Sequence, residues 1–376
     1  MGNIKFGFGT MRLPRLDPED PQSIDIEQYK KMADVFMDRG FCYFDTAYPY
    51  HGERSEEALK EAVVRRFPRE KLVIADKMPI LRVKATEDYQ KYFDTQLKRC
   101  GVDYFDIYLL HNLGRDRYIN TQKYGGFEFI SRLKEKGLVK NIGFSFHDDA
   151  DTLEYILSEH PEVDVVQLQI NYLDWEGAVA QSKRCYNVAM SHGKSVIVME
   201  PVKGGTLAEL PPKAMEIFKE YYKDKGQSIP SPASLAVRYA ASLEGVQTVL
   251  SGMSSLAQLE DNTSYMVDFK PLTEGEKILT DRITEILKST IKVPCTGCRY
   301  CLEVCPKNIN IPDYFGLLNL HAVTGKKSNM YYERFSMAHG KAKECIGCGA
   351  CEYNCPQHIE IREFLEDFAK LYEEEV

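Results

Sequence analysis

The 376-residue chain has a single tryptophan, no apolar run long enough to span a bilayer and no surplus of positive charge. With 48 basic against 56 acidic residues and a formal charge of -8, a general phosphate-backbone binder is disfavoured, so no nucleic-acid partner is expected. The composition also argues against a membrane-spanning chain. No basic segment followed by an apolar stretch opens the sequence, and Phe6 stands where a myristoylation signal needs Ser or Thr. A cytoplasmic protein with no membrane partner is expected. Missing too is a Gly-x-Gly-x-x-Gly that opens a helix, the usual mark of a flavin or Rossmann dinucleotide site. Cysteine is sparse through the first three quarters, where Cys42, Cys100 and Cys185 read as small buried hydrophobes, yet eight more follow in two short runs. That clustering points to metal rather than to disulfides.

What is present describes a folded chain. At 44% hydrophobic and 28% charged residues it can build a sizeable core, and its length suits one large domain with a small appendage. Short runs rich in Val, Ile, Leu and Tyr recur over 6–10, 42–46, 72–77, 106–111, 141–145, 165–169, 195–200 and 247–251. Amphipathic helical stretches alternate with them: 27–38 carries Met32, Val35 and Phe36 on one face, and 55–66 carries Ala58, Leu59, Ala62 and Val63. Ser231 followed by Pro232 reads as an N-cap with proline at the first helical position. This is the pattern of repeated βα units on a parallel sheet. Eight strands fit an α/β fold closed as a (β/α)₈ TIM barrel over residues 1–270, although a doubly wound open sheet shows the same alternation. A capping box at 273–276 then starts a linker or docking helix over 271–292 that could pack against the barrel. Residues 293–376 form a small carboxy-terminal domain closed by an acidic helix over 362–375, whose charges read as a solvated face.

The two cysteine runs, Cys295-x2-Cys298-x2-Cys301-x3-Cys305-Pro306 and Cys345-x2-Cys348-x2-Cys351-x3-Cys355-Pro356, are one motif used twice. Three closely spaced thiolates can wrap one cubane while the fourth, before proline, points toward a second site. Two Cys₄ zinc sites are the plainer alternative, though zinc modules more often show separated C-x2-C pairs. The runs resemble those of bacterial dicluster ferredoxins. That resemblance implies a ferredoxin-like domain with two [4Fe–4S] clusters, one held by Cys295, Cys298, Cys301 and Cys355, the other by Cys345, Cys348, Cys351 and Cys305.

Four ionisable residues fall at or just beyond the carboxyl ends of expected strands, where barrel enzymes keep their active sites: Asp45, Tyr50, Lys77 and His111. Together with Gly7-Phe8-Gly9-Thr10, Ile142-Gly143-Phe144-Ser145, Gln169 to Asn171, and Gly252-Met253-Ser254-Ser255 with Gln258 to Asn262, they resemble the aldo-keto reductases over about residues 4 to 270. With the cysteine runs added, the chain resembles the ferredoxin-tailed branch of that superfamily. The resemblance implies an NAD(P)H-dependent reduction of a small carbonyl compound, an aldehyde, ketone or quinone. It makes Tyr50 the general acid, Lys77 and Asp45 its activating pair, and His111 the hydrogen-bond donor to the carbonyl oxygen. An ammonium beside a phenol favours the phenolate and so loosens a proton otherwise held to a pKa of about 10. The same likeness gives Ser145, Gln169 and Asn171 to the nicotinamide, and Gly252, Ser254, Gln258 and Asn262 to the rest of the cofactor. Met199 stands where many members stack a tyrosine. Gly252, Met253 and Gln258 replace the Lys-Ser and Arg that often bind a 2′-phosphate. NADP(H) is therefore implied by the family, with NAD(H) open.

Nicotinamide gives two electrons as hydride, whereas a cluster usually takes one, and no flavin signature bridges them. Either the barrel reduces carbonyls beside a structural or partner-docking iron–sulfur module, or the protein transfers or senses electrons with a partner such as a ferredoxin or flavoprotein. Substrate choice is expected in loops, chiefly 112–126 and Trp175 with its neighbours, with Tyr118, Tyr124 and Phe127 as possible pocket walls, although aromatic residues in loops more often just pack.

Overall fold

Eight parallel strands pair in chain order and close on themselves: β1 (Asn3–Gly9), β2 (Phe41–Asp45), β3 (Val73–Met78), β4 (Phe105–Leu113), β5 (Val139–Phe146), β6 (Val165–Gln169), β7 (Ser195–Met199) and β8 (Val246–Gly252). The closure of β8 onto β1 decides for the barrel over an open sheet. This computed structural model describes residues 3–374 apart from 19, 178, 179, 325, 326 and 328. Tyr43, Ala75, Ile107, Leu109, Val165, Ile197 and Leu250 form one buried cluster drawn from six of the strands, whose alternate side chains fill the barrel. Gly143 permits the β5–β6 approach, because a Cβ there would meet the Val165 carbonyl oxygen at 2.0 Å. Register aligns Gly9 with Asp45 on one side and with Gly252 on the other, which brings the expected site residues to one end of the barrel.

The outer faces of the strands carry aromatic side chains for the helices. Helix Ile26–Asp38 starts where Asp25 accepts a hydrogen bond from the Gln28 amide, and it buries Tyr29, Met32, Ala33 and Phe36. Phe36 lies 5.2 Å from both Phe41 and Phe44, ring to ring, and each such buried aromatic stabilises by roughly 1.5–3 kcal/mol. The helix expected over 55–66 is α-helical only for Ser55–Leu59 and then widens into a π-turn, Lys60–Val64. The wider turn keeps Ala62 and Val63 buried with Ala58 and Leu59. Where a loop was expected after β4, Arg115–Lys123 is helical. It buries only Tyr118 and Thr121, so its sequence shows no apolar stripe.

The chain divides into two compact units. One contains the strands, up to Pro201, with Ala233–Thr273; the other contains Val202–Pro232 and the chain from Glu274 onward. Cuts at 270 and 292 do not describe this division, because the segment after β7 and helix Glu274–Thr290 both belong with the cysteine runs. In that second unit, helix Glu274–Thr290 packs on helix Pro212–Asp224, where the Tyr222 hydroxyl donates to Glu276 Oε1 at 3.0 Å. Helices Ile311–Thr324 and Ile361–Tyr372 form the rest of its core, with Tyr314 stacked on Phe368 at 4.6 Å. The terminal helix is therefore more than a solvated face: it buries Ile361, Leu365 and Phe368. Glu375, at the end of the expected helix, lies outside the described residues. Among the described residues no helix is long and apolar enough to cross a membrane.

Candidate active site and cysteine-lined cavities

Asp45 ends β2 and Lys77 lies in the adjacent β3, both fully enclosed. Lys77 Nζ donates to Asp45 Oδ1 at 2.5 Å and to the Thr46 carbonyl at 2.8 Å, while Gln167 Nε2 donates to Asp45 Oδ2 at 3.2 Å. Burial raises the Asp45 carboxyl, and the ammonium and the amide oppose that rise. The same Nζ stands 5.1 Å from the centre of the Tyr50 ring. Tyr50 in turn faces His111 edge-on, ring centres 5.8 Å apart. Four residues spread over 67 positions of sequence thus share one small volume. Burial pushes His111 well below its usual value, helped by Lys77, His147 and Arg117, so its imidazole is neutral near pH 7.

A second layer fixes the lysine. Gln96 donates to the Lys77 carbonyl at 3.0 Å, and Asp76 Oδ1 accepts from the Lys77 amide at 2.8 Å. Asp76 and Glu56 are fully buried and hydrogen-bonded to each other, with Arg99 3.1 Å from Glu56. Glu56 Oε1 has no donor among the described residues unless Asp76 carries a proton. Burial first, then the Glu56 charge, raises Asp76 well above the carboxylate range, and burial raises Glu56 as well, so the pair favours holding a proton at Asp76. Native protein then keeps a proton that the unfolded chain releases above about pH 4, and stability falls as pH rises from there toward the folded pKa. Asp76→Asn keeps the donor and removes the titration. Its melting temperature is expected to exceed that of wild type at pH 7 and above, the unfolding free energy gaining about 1.4 kcal/mol for each unit by which the wild-type pKa was raised, with the gap closing toward pH 4. Equal pH dependence in both proteins would mean the proton is not there.

The residues expected at the cofactor line the same end of the barrel. Ser145 Oγ accepts from the Asn112 amide at 2.7 Å; Asn112 itself sits at φ 61° directly after His111. Gln169 and Asn171 both donate to Asp174 Oδ2, at 2.7 and 2.9 Å. Gly252 closes β8. Ser254 and Gln258 are exposed at the start of helix Leu256–Val267, where Gln258 Oε1 accepts from the Ser254 amide at 2.8 Å. Asn262 is buried and donates to Ser251 Oγ at 2.8 Å, which gives it a packing role of its own. Tyr118 and Phe127 do not face this end. The Tyr118 hydroxyl meets His160 Nε2 at 3.1 Å, and Phe127 stacks on the same imidazole at 3.5 Å.

In the second unit the eight clustered cysteines divide four and four. Cys295, Cys298, Cys301 and Cys355 line one cavity together with Ile311, Phe315 and Ile359. Cys305, Cys345, Cys348 and Cys351 line another with Ile309, Ile311 and Leu365. Each cavity holds about 320 Å³ counting its open mouth. Amides of Gly297 and Ile309 point at Cys295 and Cys305 sulfurs at 3.4 Å. Burial raises the thiols of Cys301 and Cys355 and lifts Cys351 to about 11, so these sulfurs ionise only against a compensating positive centre. Four convergent sulfurs in an apolar shell with amide donors fit an iron–sulfur cluster.

Residues 5–284 match the sequence model of the aldo/keto reductase family. The chain belongs to that family. Residues 294–360 of this aldo/keto reductase match a 4Fe-4S dicluster domain. Among curated proteins it is 25% identical to L-galactose dehydrogenase of Arabidopsis thaliana over 64% of this chain and 79% of that protein. It is 24% identical to the 9,11-endoperoxide prostaglandin H2 reductase of Trypanosoma cruzi over 73% and 89%. A solved aldo-keto reductase from Bacillus halodurans in its holo form shares the fold at TM-score 0.59 and 23% identity, over 74% of this chain and 91% of that one. Another, from Klebsiella pneumoniae in complex with NADP and acetate, gives 0.58 at 18% identity over the same shares.

Several residues that shape the site of this aldo/keto reductase escaped the sequence reading. Gln167 holds Asp45 from 122 positions away, Asp174 gathers two amides, and Arg117 Nη1 binds the Asn112 carbonyl at 3.1 Å. Arg12 lies along Gly252, where a Cβ would meet its side chain at 3.2 Å. The alternation of Gln167 with Gln169 on an otherwise apolar β6 is the one signal that could have found the first of these.

Proposed function

We propose that the barrel reduces a small carbonyl compound with NAD(P)H, with Tyr50 as the general acid, and that each four-cysteine cavity holds a [4Fe–4S] cluster. The observation that carries the first part is the buried Lys77–Asp45 pair set against the Tyr50 ring beside a neutral His111. When bound, a dihydronicotinamide supplies hydride to the carbonyl carbon. The protein handles the oxygen: His111, neutral and enclosed, donates a hydrogen bond to it, and the Tyr50 hydroxyl gives up a proton as negative charge develops there. The Lys77 ammonium favours the phenolate left behind. Asp45, pinned by Gln167, keeps that ammonium in place. Ser145, Gln169 and Asn171 are assigned to the nicotinamide, and Gly252, Ser254, Gln258 and Asn262 to the remainder of the cofactor. Arg12 beside Gly252 offers a cation that the phosphate-binding positions otherwise lack.

A second reading rests on Cys348, which is exposed although it lines a cluster cavity. An exposed ligand favours one-electron exchange with a ferredoxin or flavoprotein partner. Anaerobically purified protein, with iron and sulfide measured, is expected to oxidise NADPH or NADH in step with loss of a small aldehyde or quinone. Failure of every such acceptor with both dinucleotides would remove the reductase reading; transfer to a partner from dithionite-reduced protein would then leave the second.

A further inference from the structure

Directly after Tyr50 the backbone turns left-handed: His51, Gly52 and Glu53 have φ values of 53°, 57° and 70°. Two of these residues carry a Cβ, and such a run persists only where the surroundings hold it. On one side Glu53 supplies the hold, bound by Arg82 and by Arg99 Nη2 at 2.9 Å. On the other side stands a hairpin. Between the end of β1 and helix Ile26–Asp38 the chain doubles back, so that Arg15 pairs antiparallel with Ile24, the Leu16 amide donates to the Ser23 carbonyl at 2.7 Å, and the Asp25 amide donates to the Pro14 carbonyl at 2.9 Å. The His51 ring bonds both arms. Its Nε2 accepts from the Leu13 amide at 3.1 Å, and its Nδ1 lies 2.9 Å from the Pro21 carbonyl oxygen. Gln22 Nε2 adds a bond to the Gly52 carbonyl at 3.2 Å. The chain leading into the hairpin is tied to the site as well, through Thr10 Oγ1, which donates to the Asp45 carbonyl at 2.9 Å and meets Ser55 Oγ at 2.7 Å.

These partners fix the protons of the ring. An amide can only donate and a carbonyl can only accept, so Nε2 is bare, Nδ1 carries the hydrogen, and the imidazole is neutral. Charging it would set a proton on Nε2 against the Leu13 N–H. Burial, the largest influence, and Arg15 on the hairpin hold the ring below its ordinary value, against the pull of the Pro21, Thr10 and Met11 carbonyls. On its own loop Glu53 is taken up by Arg82 and Arg99, and Arg54 pairs with Glu57 at 2.8 Å.

We propose that neutral His51 is a positioning residue for carbonyl reduction: it locks the hairpin between Leu13 and Asp25 to the loop beside it, so fixing Tyr50 against Lys77 and His111, and protonation in acid releases the lock. This rests on the reading of Tyr50 as general acid. The ring acts through its neighbour, since both of its nitrogens are spent on backbone groups. A proton donor displaced by about 1 Å loses on the order of 10²-fold in rate.

The test is the pH profile of kcat/KM for the full chain with benzaldehyde and with a benzoquinone, alongside hydrogen exchange at the Leu13 amide, which needs no turnover. Wild type should show an acid limb below the ordinary imidazole value of about 6.5, and Leu13 protection should fall over the same range. His51→Gln offers Leu13 an acceptor that does not titrate, so it should keep most of the turnover and lose the acid limb. His51→Leu should lower kcat/KM by about 10–100-fold and speed exchange at Leu13 at every pH. Wild-type turnover in folded His51→Leu would overturn the proposal. Should that variant fold poorly, His51→Gln decides alone, and an acid limb unchanged in it would overturn the proposal equally. Wild-type protein that reduces neither acceptor with either dinucleotide, while Leu13 exchange follows pH as expected, would instead overturn the reductase reading.

Discussion

Tyr50→Phe is expected to lower kcat/KM for carbonyl reduction by about 10²–10⁴-fold, the usual worth of a positioned proton donor, while the dinucleotide still binds. The phenyl ring keeps the edge-on contact with His111 and removes only the hydroxyl. Lys77→Met should match much of that loss by another route. On this assignment reduction needs the phenol protonated, so activity is expected to fall at alkaline pH where the phenol ionises. Removing the ammonium makes that ionisation harder and should carry the alkaline limb of the profile to higher pH; in Tyr50→Phe the limb should vanish. A complication is structural, because Lys77→Met leaves Asp45 as an unpaired buried charge, a cost of about 3–5 kcal/mol. Asp45→Asn with Lys77→Met removes both charges and should recover the melting temperature without recovering the rate. If Tyr50→Phe keeps wild-type turnover, the proton comes from elsewhere and the assignment of the barrel chemistry fails.

The barrel could be read from sequence because most strand positions are buried on both faces, which leaves short, nearly continuous apolar runs such as Phe41 to Phe44. That Asp45, Tyr50, Lys77 and His111 come together was legible for a similar reason: strand ends are predictable, and ionisable residues there have no place in a core. Pairings across the barrel were not. Nothing near Asp45 announces Gln167, and nothing near Lys77 announces that Asp76 is hydrogen-bonded to Glu56. The helix Arg115–Lys123 was missed because its buried surface is two residues, too little to leave a period. Harder still was the division of the chain. Residues 202–232 look like one more loop and helix of a βα repeat, and only contacts distant in sequence, such as Gly204 against Thr296, assign them to the cysteine-bearing unit.

Those distant contacts also decide how the cysteines are shared. Cys305 belongs in sequence to the first run but lines the cavity of the second, and Cys355 does the reverse. Single replacements cannot reveal this, since any one ligand lost should cost one cluster and about half the iron. Pairs can. Cys305→Ser combined with Cys348→Ser is expected to remove ligands from the same cluster and leave about half the iron and one set of spectroscopic signals. Cys305→Ser combined with Cys298→Ser should strip both clusters. Ligands kept within each run would give the opposite pattern, and that result would refute the exchange. Stability should follow the metal, because a bound cluster contributes its binding free energy to folding and each exchanged cysteine closes a loop between the runs. The pair that leaves one cluster intact should therefore melt well above the pair that leaves none, although both have lost two thiols.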